Sequence, residues 1–342
     1  MNSKVIYGLP QVFFFLFALM PIIKTSTYKA PFWLFNEHVE TIVPGIFRNP
    51  KSLNYQRHRL TTKDADFLDL DYLQNSHDRL VILSHGLEGH SDKYYMRGMA
   101  QAFKNLDWDV LSWNCRSCSD EINLTARLYH HGATEDLEEV VVDAISKEYK
   151  KIVLIGFSLG GSMVMKYLGE NGQRVPSEIL GGVAFSTPCQ LGSCSKKMSA
   201  PGNEFYLNRF LNKLKAKIKL KAAQFPEIFN LSGIDDIDNF YDFDQKYTAP
   251  LYGFSNLEEF YKYASSGNYI DGIKVPTLLV NSLNDPMLPE DCYPFDEARN
   301  HEYFFLETPE YGGHMGYWWP GVKESWAEKR ACEFVVKIIG EV

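Results

Sequence analysis

Cysteine is scarce in this chain, with six residues among 342, at positions 115, 118, 189, 194, 292 and 332. So few, so widely spaced, exclude a disulfide-stapled scaffold, and reduced thiols in a cytosolic setting are the plain reading. Cys115-Arg116-Ser117-Cys118 is a lone C-x-x-C; no second C-x-x-C and no H-x-x-x-H completes a zinc site. No histidine–carboxylate cluster points to another metal, and no cofactor is implied. Positive charge is in deficit, 35 Lys and Arg against 43 Asp and Glu, for a net charge of -8. A nucleic-acid partner, which calls for a basic face, is therefore not expected. Internal repeats and low-complexity segments are also absent. What remains, 45% hydrophobic and 23% charged residues, is the composition of a folded globular protein.

One long apolar run exists, and no small-residue cleavage pattern follows it. Val5 to Ile23 lies between Lys4 and Lys24, close to the ~20 residues that span a bilayer. Gly8, Pro10, Gln11 and Pro21 interrupt it. Three readings stay open: an uncleaved anchor, a signal peptide, or an upstream extension of a chain that starts at Met20. More positive residues follow the run (Lys24, Lys29, Arg48) than precede it, so an anchored form keeps its body on the cytoplasmic side. The expectation is a cytoplasmic protein in which residues 1–24 form a separate apolar segment and residues 5–23 are the candidate membrane contact.

Beyond residue 24, "RLVILSH" (79–85), "DVLSWNC" (109–115), "KIVLIGF" (151–157), "GGVAFST" (181–187), "TLLVNSL" (277–283) and "EYFFLE" (302–307) read as buried strands. Helical patterns near 93–105, 134–148, 159–171 and 324–339 fall between or after them. Apolar strands alternating with helices predict an α/β chain with a mostly parallel sheet covered on both faces. An alternating stretch, 55–74, predicts a leading antiparallel hairpin. From about 188 to 270 no central strand is legible, which predicts a helical lid inserted into a single domain over 25–342. Within it Leu207, Phe210, Leu211, Leu214 and Ile218 mark an apolar face. Lys213, Lys215, Lys217, Lys219 and Lys221 fall around it and are read as a solvated lysine face over the lid core, with docking of a basic amphipathic helix on an anionic membrane as the alternative.

The chemistry centres on "LIGFSLGGSM" (154–163), a G-x-S-x-G pentad around Ser158. Such a pentad arises by chance in about one chain in ten of this size, so its context decides. Here a strand ends at Gly156 and a helix begins after Ser158, the sharp turn that needs glycine on either side of an exposed nucleophile. Serine needs a base, and the base an orienting carboxylate. Asp285 follows the strand at 277–283, with Glu290 and Asp291 as nearby alternatives, and His314 lies in a glycine-bearing loop after the last strand. Nucleophile, acid and base thus stand in the order Ser158, Asp285, His314, each at a strand end. The backbone N–H groups of Leu87 and Leu159 are the expected donors to a developing oxyanion. His85 is read as loop-shaping, His90 as exposed and without a role, and Thr134 as a helix N-cap.

The residues resemble a known group, the YheT-like α/β-hydrolases, which are related to the ABHD lipases and the fungal ethanol acyltransferases. Seven blocks carry the resemblance in order: "PFWLFNEHVETIVPGIFR" (31–48), "HGLEGHSDKYY", "NCRSCSDEINLTARLYHHGATEDL" (114–137), "GFSLGG", "FDQKYTAPLYGFSNLEEFY", "NSLNDP" and "GGHMGY". It implies the α/β-hydrolase fold, triad roles for Ser158, Asp285 and His314, and short- to medium-chain esters, monoacylglycerols or related lipids as substrates. In one departure, Arg116-Ser117 stands where relatives tend to carry Arg-Gly, which questions the local backbone of that loop. Tyr129 and His130 in the same loop are candidates to line the pocket.

The expected activity is a serine ester hydrolase working through an acyl-enzyme on a small-molecule ester or lipid. Two alternatives stand beside it: transfer of the acyl group to a small alcohol on the same residues, and a membrane-associated scaffold that binds lipid without turnover. A dinucleotide fold is disfavoured, since Ser158 occupies the place of the middle glycine of G-x-G-x-x-G.

Overall fold

The computed structural model describes residues 21–75 and 78–340. Among them, strands β1 (Ile22–Ile23), β2 (Gln56–Thr61), β3 (Phe67–Leu73), β4 (Arg79–Ser84), β5 (Asp109–Asn114), β6 (Lys151–Phe157), β7 (Ile179–Phe185), β8 (Thr277–Val280) and β9 (Phe304–Glu307) form one sheet. Their order is β1-β9-β8-β7-β6-β4-β5-β3-β2, parallel except where β3 joins β2 and β5. The apolar runs did become central strands, within a few residues at their ends. Alternate residues of each supply the two cores: Leu80, Ile82 and Leu154 face one side, Val81, Leu83 and Ile155 the other.

Helices α1 (Glu37–Phe47), α2 (Tyr94–Lys104), α3 (Thr134–Ser146), α4 (Leu159–Asn171), α5 (Leu191–Met198), α6 (Glu204–Gln224), α7 (Leu257–Ala264) and α8 (Trp326–Ile339) accompany the sheet. Through Leu137, Val140, Met163 and Val164, α3 and α4 cover one face; Met96, Met99, Phe334 and Val335 of α2 and α8 cover the other. Helices α1 and α8 begin on side-chain caps. Asn36 accepts from the Val39 N–H at the start of α1, and Ser325 and Glu328 close a capping box on α8. Thr134 is not the N-cap expected. It is the first residue of α3, and its hydroxyl donates to Glu170 instead.

The leading hairpin forms as predicted, and its register explains two buried acids. Arg57 lies opposite Asp71 and Arg59 opposite Asp69, each guanidinium donating twice to its partner at 2.7–3.0 Å. Cross-strand neighbours on one face supply the charge that makes burial of both aspartates tolerable.

Ser117 takes a left-handed backbone, with φ of 58°. This is the conformation glycine adopts at least cost, so the chain turns here as an Arg-Gly pair would. The serine adds what glycine lacks: its Oγ donates to Asn123 Oδ1 at 2.5 Å and accepts the Asn123 N–H at 3.1 Å.

Of the apolar N-terminal run, residues 5–20 lie outside the described residues. Its end does not extend a membrane span: Ile22 and Ile23 pair with Leu306 and Glu307 at the sheet edge. Among the described residues no helix is long and apolar enough to cross a membrane.

Between β7 and β8 the chain is helical, and its own core gathers Leu207, Leu211, Ile218, Phe229, Ile234 and Phe243. The lysines of α6 are not one solvated face. Lys221 is fully buried and donates to the carbonyls of Asn123 and Thr125, both at 2.5 Å. Burial pushes its ammonium down to about 8. Lys217 also turns inward, toward Glu88.

Candidate active site

The pentad makes the turn from β6 to α4. Ser158 sits there with φ of 52°, a strained value for any residue with a Cβ. The neighbouring glycines are a matter of space. A Cβ on Gly156 would stand 2.2 Å from the Gly160 carbonyl oxygen, and one on Gly160 the same distance from that of Ser84. A Cβ on Gly161 would meet Thr187 Oγ1 at 2.2 Å. Any side chain at these positions would push the serine away from the top of the sheet.

His314 and Asp285 arrive on loops after β9 and β8, and the structure brings both to Ser158. His314 Nε2 is 3.0 Å from Ser158 Oγ, and its Nδ1 is 2.8 Å from Asp285 Oδ2. Nδ1 donates to the carboxylate, which leaves Nε2 as the acceptor facing the hydroxyl. Asp285 Oδ1 takes the Met287 N–H at 2.9 Å, so the carboxylate is gripped on both oxygens. Of the two alternative acids, Asp291 is occupied by Ser193, and Glu290 has no bond to His314.

Leu87 and Leu159 border the same cavity as Ser158 and His314. Among the described residues neither backbone N–H has a hydrogen-bond acceptor, and Leu159 opens α4, where N–H groups point outward unpaired. His85 is fully buried beneath this loop. Its Nδ1 donates to the Gly86 carbonyl at 2.7 Å and its Nε2 accepts the Cys115 N–H at 3.1 Å, which fits the loop-shaping role. His90 is half-buried rather than exposed.

The cavity has an open space of about 1140 Å³, mouth included. Apolar side chains such as Leu128, Met198, Phe210, Leu214, Tyr247 and Phe260 dominate its wall, and Tyr129 and His130 lie on it as foreseen. Two charged wall residues were not foreseen. Asp244 accepts from Thr248 and Tyr261, and burial pushes its carboxyl up to about 6. Lys217 donates to Glu88 Oε1 at 2.6 Å, while Tyr129 OH donates to that same oxygen at 2.7 Å and accepts the Glu88 N–H at 2.8 Å. Glu88, left-handed at φ of 54°, adjoins Leu87, so α6 and the 114–137 loop together hold the Leu87 segment in place. A charged lysine spacing in the sequence gives no hint of this, because the partner lies 129 residues away. Among the described residues no cluster of three or more His, Cys, Asp or Glu side chains is arranged to hold a metal ion.

Burial also sets a pH dependence. The His85 imidazole is pushed down to about 3 by desolvation, against the pull of its bond to Gly86. Above about pH 6.5 it is neutral folded or unfolded; below that only the unfolded chain takes the proton. Stability is therefore full above about pH 6.5 and falls by about 1.4 kcal/mol per unit beneath it, down to about pH 3. His131, pushed down to about 4 by burial, acts in the same direction, and Asp244, pushed up to about 6, offsets part of it. The expected result is a melting temperature that drops steadily from pH 7 to pH 5. A flat profile over that range would show these groups to be solvated.

A model of the alpha/beta hydrolase fold matches residues 79–320. The chain is 29% identical to YheT of Escherichia coli (strain K12), a candidate esterase, over 82% of this chain and 84% of that protein. It is 26% identical to phospholipase ABHD3 of Mus musculus, covering 86% of this chain and 74% of the relative. It is also 28% identical to a monoacylglycerol lipase of Saccharomyces cerevisiae, covering 75% and 58% respectively. In fold it is similar to the Pyrococcus furiosus esterase Pf2001, with a TM-score of 0.57 at 20% identity over 86% of this chain and 98% of that one.

Proposed function

The chain belongs to the alpha/beta hydrolase fold family and is an esterase- or lipase-type hydrolase, and from that premise we propose that Ser158, His314 and Asp285 cleave carboxylic esters of short to medium acyl chains or monoacylglycerol-type lipids. The observation that carries this reading is the unbroken contact from Asp285 through His314 to Ser158 on the wall of an apolar cavity.

The steps follow from the geometry. His314 Nε2 takes the Ser158 proton as Oγ attacks the ester carbonyl, and Asp285 holds the imidazole in the tautomer that allows it. The carbonyl oxygen gains charge and is received by the N–H groups of Leu87 and Leu159. The alcohol leaves with the proton from His314. Water, deprotonated by the same imidazole, then releases the acid. The apolar wall accommodates an acyl chain at about 0.8 kcal/mol per buried methylene, which favours a lipid or ester over a polar substrate. We further propose that residues 25–342 act as one domain in which the helices between β7 and β8 serve as a lid over this cavity.

The test is a fluorophosphonate probe followed by mass spectrometry, then a chain-length series of p-nitrophenyl esters. The expected adduct is on Ser158, with turnover greatest for short to medium chains and water as acceptor in the absence of added alcohol. An adduct with ester formation but no net hydrolysis would replace hydrolysis by acyl transfer. A folded protein with neither adduct nor turnover would leave the lipid-binding scaffold.

A further inference from the structure

We propose that Glu40, on a helix that precedes the family-matched region, is a positioning residue that locks the Asp285 and His314 loops to each other. The inference rests on the assignment of Ser158, Asp285 and His314 given above.

The two loops leave the sheet from different strands, so nothing in the parallel ladder itself sets the distance between their tips. Reactive groups tolerate little error here, since a displacement of about 1 Å can cost about 100-fold in rate. Glu40 bridges the gap with one oxygen. Its Oε2 accepts the side-chain amide of Asn284 at 3.0 Å and the backbone N–H of Gly312 at 2.5 Å. Asn284 Oδ1 in turn accepts the Gly313 N–H at 3.0 Å, which closes a ring of hydrogen bonds. Asn284 immediately precedes Asp285, and Gly312 and Gly313 immediately precede His314. The next residue of the helix completes the grip: Thr41 Oγ1 accepts the His314 N–H at 2.9 Å while donating to the Glu37 carbonyl at 2.6 Å.

The base loop is shaped to meet this helix. Gly312 and Gly313 take φ values of 136° and 51°, open to glycine without strain. A Cβ on Gly313 would stand 2.7 Å from the Glu37 carbonyl oxygen, and one on Gly316 would stand 2.1 Å from that of Glu40. Backbone therefore touches backbone, with no room for a side chain to slide between.

Filling space alone would not place an acid here. Glu40 is 0% exposed, burial pushes its carboxyl above the ordinary range, and Oε1 has no partner among the described residues. An apolar residue would fill the site at less cost in desolvation. What an apolar residue cannot supply is the one acceptor oxygen that the two loops share. An amide can supply it, with its nitrogen in the place of the idle Oε1.

The test uses the full chain with Glu40→Ala, Glu40→Gln, Asn284→Ala and the double Glu40→Ala/Asn284→Ala. Steady-state kinetics on p-nitrophenyl butyrate and the rate of fluorophosphonate labelling at Ser158 are read on the folded fraction. Glu40→Ala is expected to lower kcat at least tenfold with KM changed less than threefold. Glu40→Gln is expected to keep kcat within threefold of wild type. Asn284→Ala should fall in the same direction as Glu40→Ala, and the double variant should fall no further than the worse single one, as members of one unit do. Folded Glu40→Ala with wild-type kcat overturns the proposal, as does Glu40→Gln falling as far as alanine. Should Glu40→Ala not fold, Asn284→Ala decides, and wild-type kcat there overturns it. A wild type that labels while these variants are indifferent sinks this inference alone; a wild type that never labels sinks the assignment of Ser158 and this inference with it.

Discussion

Replacing His314 with alanine is expected to lower kcat for ester hydrolysis by about 10⁴-fold or more while leaving the chain folded. The imidazole has a bond to Asp285 and a contact to Ser158 and no others among the described residues. Its loop stays anchored by backbone bonds that the substitution spares, from the N–H of residue 314 to Thr41 and from Met315 to Ser186. Asp285 keeps the Met287 N–H, and the space vacated by the imidazole borders the cavity. Without the base, the Ser158 hydroxyl retains its proton near neutral pH and is a poor nucleophile. As members of the proposed triad, Ser158→Ala, His314→Ala and the double variant should fall to nearly the same floor. In the proposed mechanism the residual rate comes from the N–H groups of Leu87 and Leu159 and from binding. A double variant a further 100-fold below both singles would mean that Ser158 and His314 act independently, and the proposed mechanism would be wrong.

The second large effect is on stability. Arg116 is 1% exposed, and its guanidinium is spent on three aspartates. It meets Asp136 through two bonds of 2.9 and 2.7 Å, Asp64 through two of 2.8 and 3.1 Å, and Asp66 through one of 3.0 Å. Asp66 is itself fully engaged: burial works to raise its carboxyl, but bonds from Thr125, Asn123 and the N–H groups of Leu124 and Phe67 outweigh it and hold it well below the usual range. The network stitches the leading hairpin, the 114–137 loop and the start of α3 together. Arg116→Met would leave buried carboxylates without their cation. Breaking such a pair from one side costs about 3–5 kcal/mol, a drop in melting temperature of roughly 4–7 °C in a chain of this size. Arg116→Lys should recover less than half of that, because an ammonium cannot present the planar fork that grips Asp136 and Asp64 at once. A methionine variant melting within about 2 °C of wild type would show that the network contributes specificity of shape rather than stability.

The sheet was legible because its signal is local. "KIVLIGF" is apolar at every position after Lys151, and a strand covered on both faces needs nothing else to declare itself. The turn at Ser158 was legible for the same reason, since the glycines that relieve its crowding are two or three residues away. The departure at Ser117 could be located but not resolved. The left-handed turn survives there because the hydroxyl meets Asn123, a partner that a motif comparison does not weigh.

Other features were hidden in ordinary-looking residues. Glu40 is one of two acids in the first turn of a capped helix, where an acid favours the dipole, and nothing in the sequence marks it as buried. Lys217 and Lys221 read as members of a solvated stripe, and the last residues of the apolar N-terminal run as part of a span. Each is decided by what the fold brings alongside: Gly312 for Glu40, Glu88 for Lys217, the Asn123 carbonyl for Lys221, β9 for Ile22 and Ile23.

The sequence by itself determined the alternation of strands and helices, the strand-end positions of Ser158, Asp285 and His314, and the helical character of the stretch between β7 and β8. Apolar periodicity and turn chemistry act over a few residues and can be read without the rest of the chain. Only the tertiary structure decided which charges are buried and how two loops on separate strands are held at a working distance. Burial of a polar group is tolerable only when a partner arrives, and the partners here come from elements tens to hundreds of residues away.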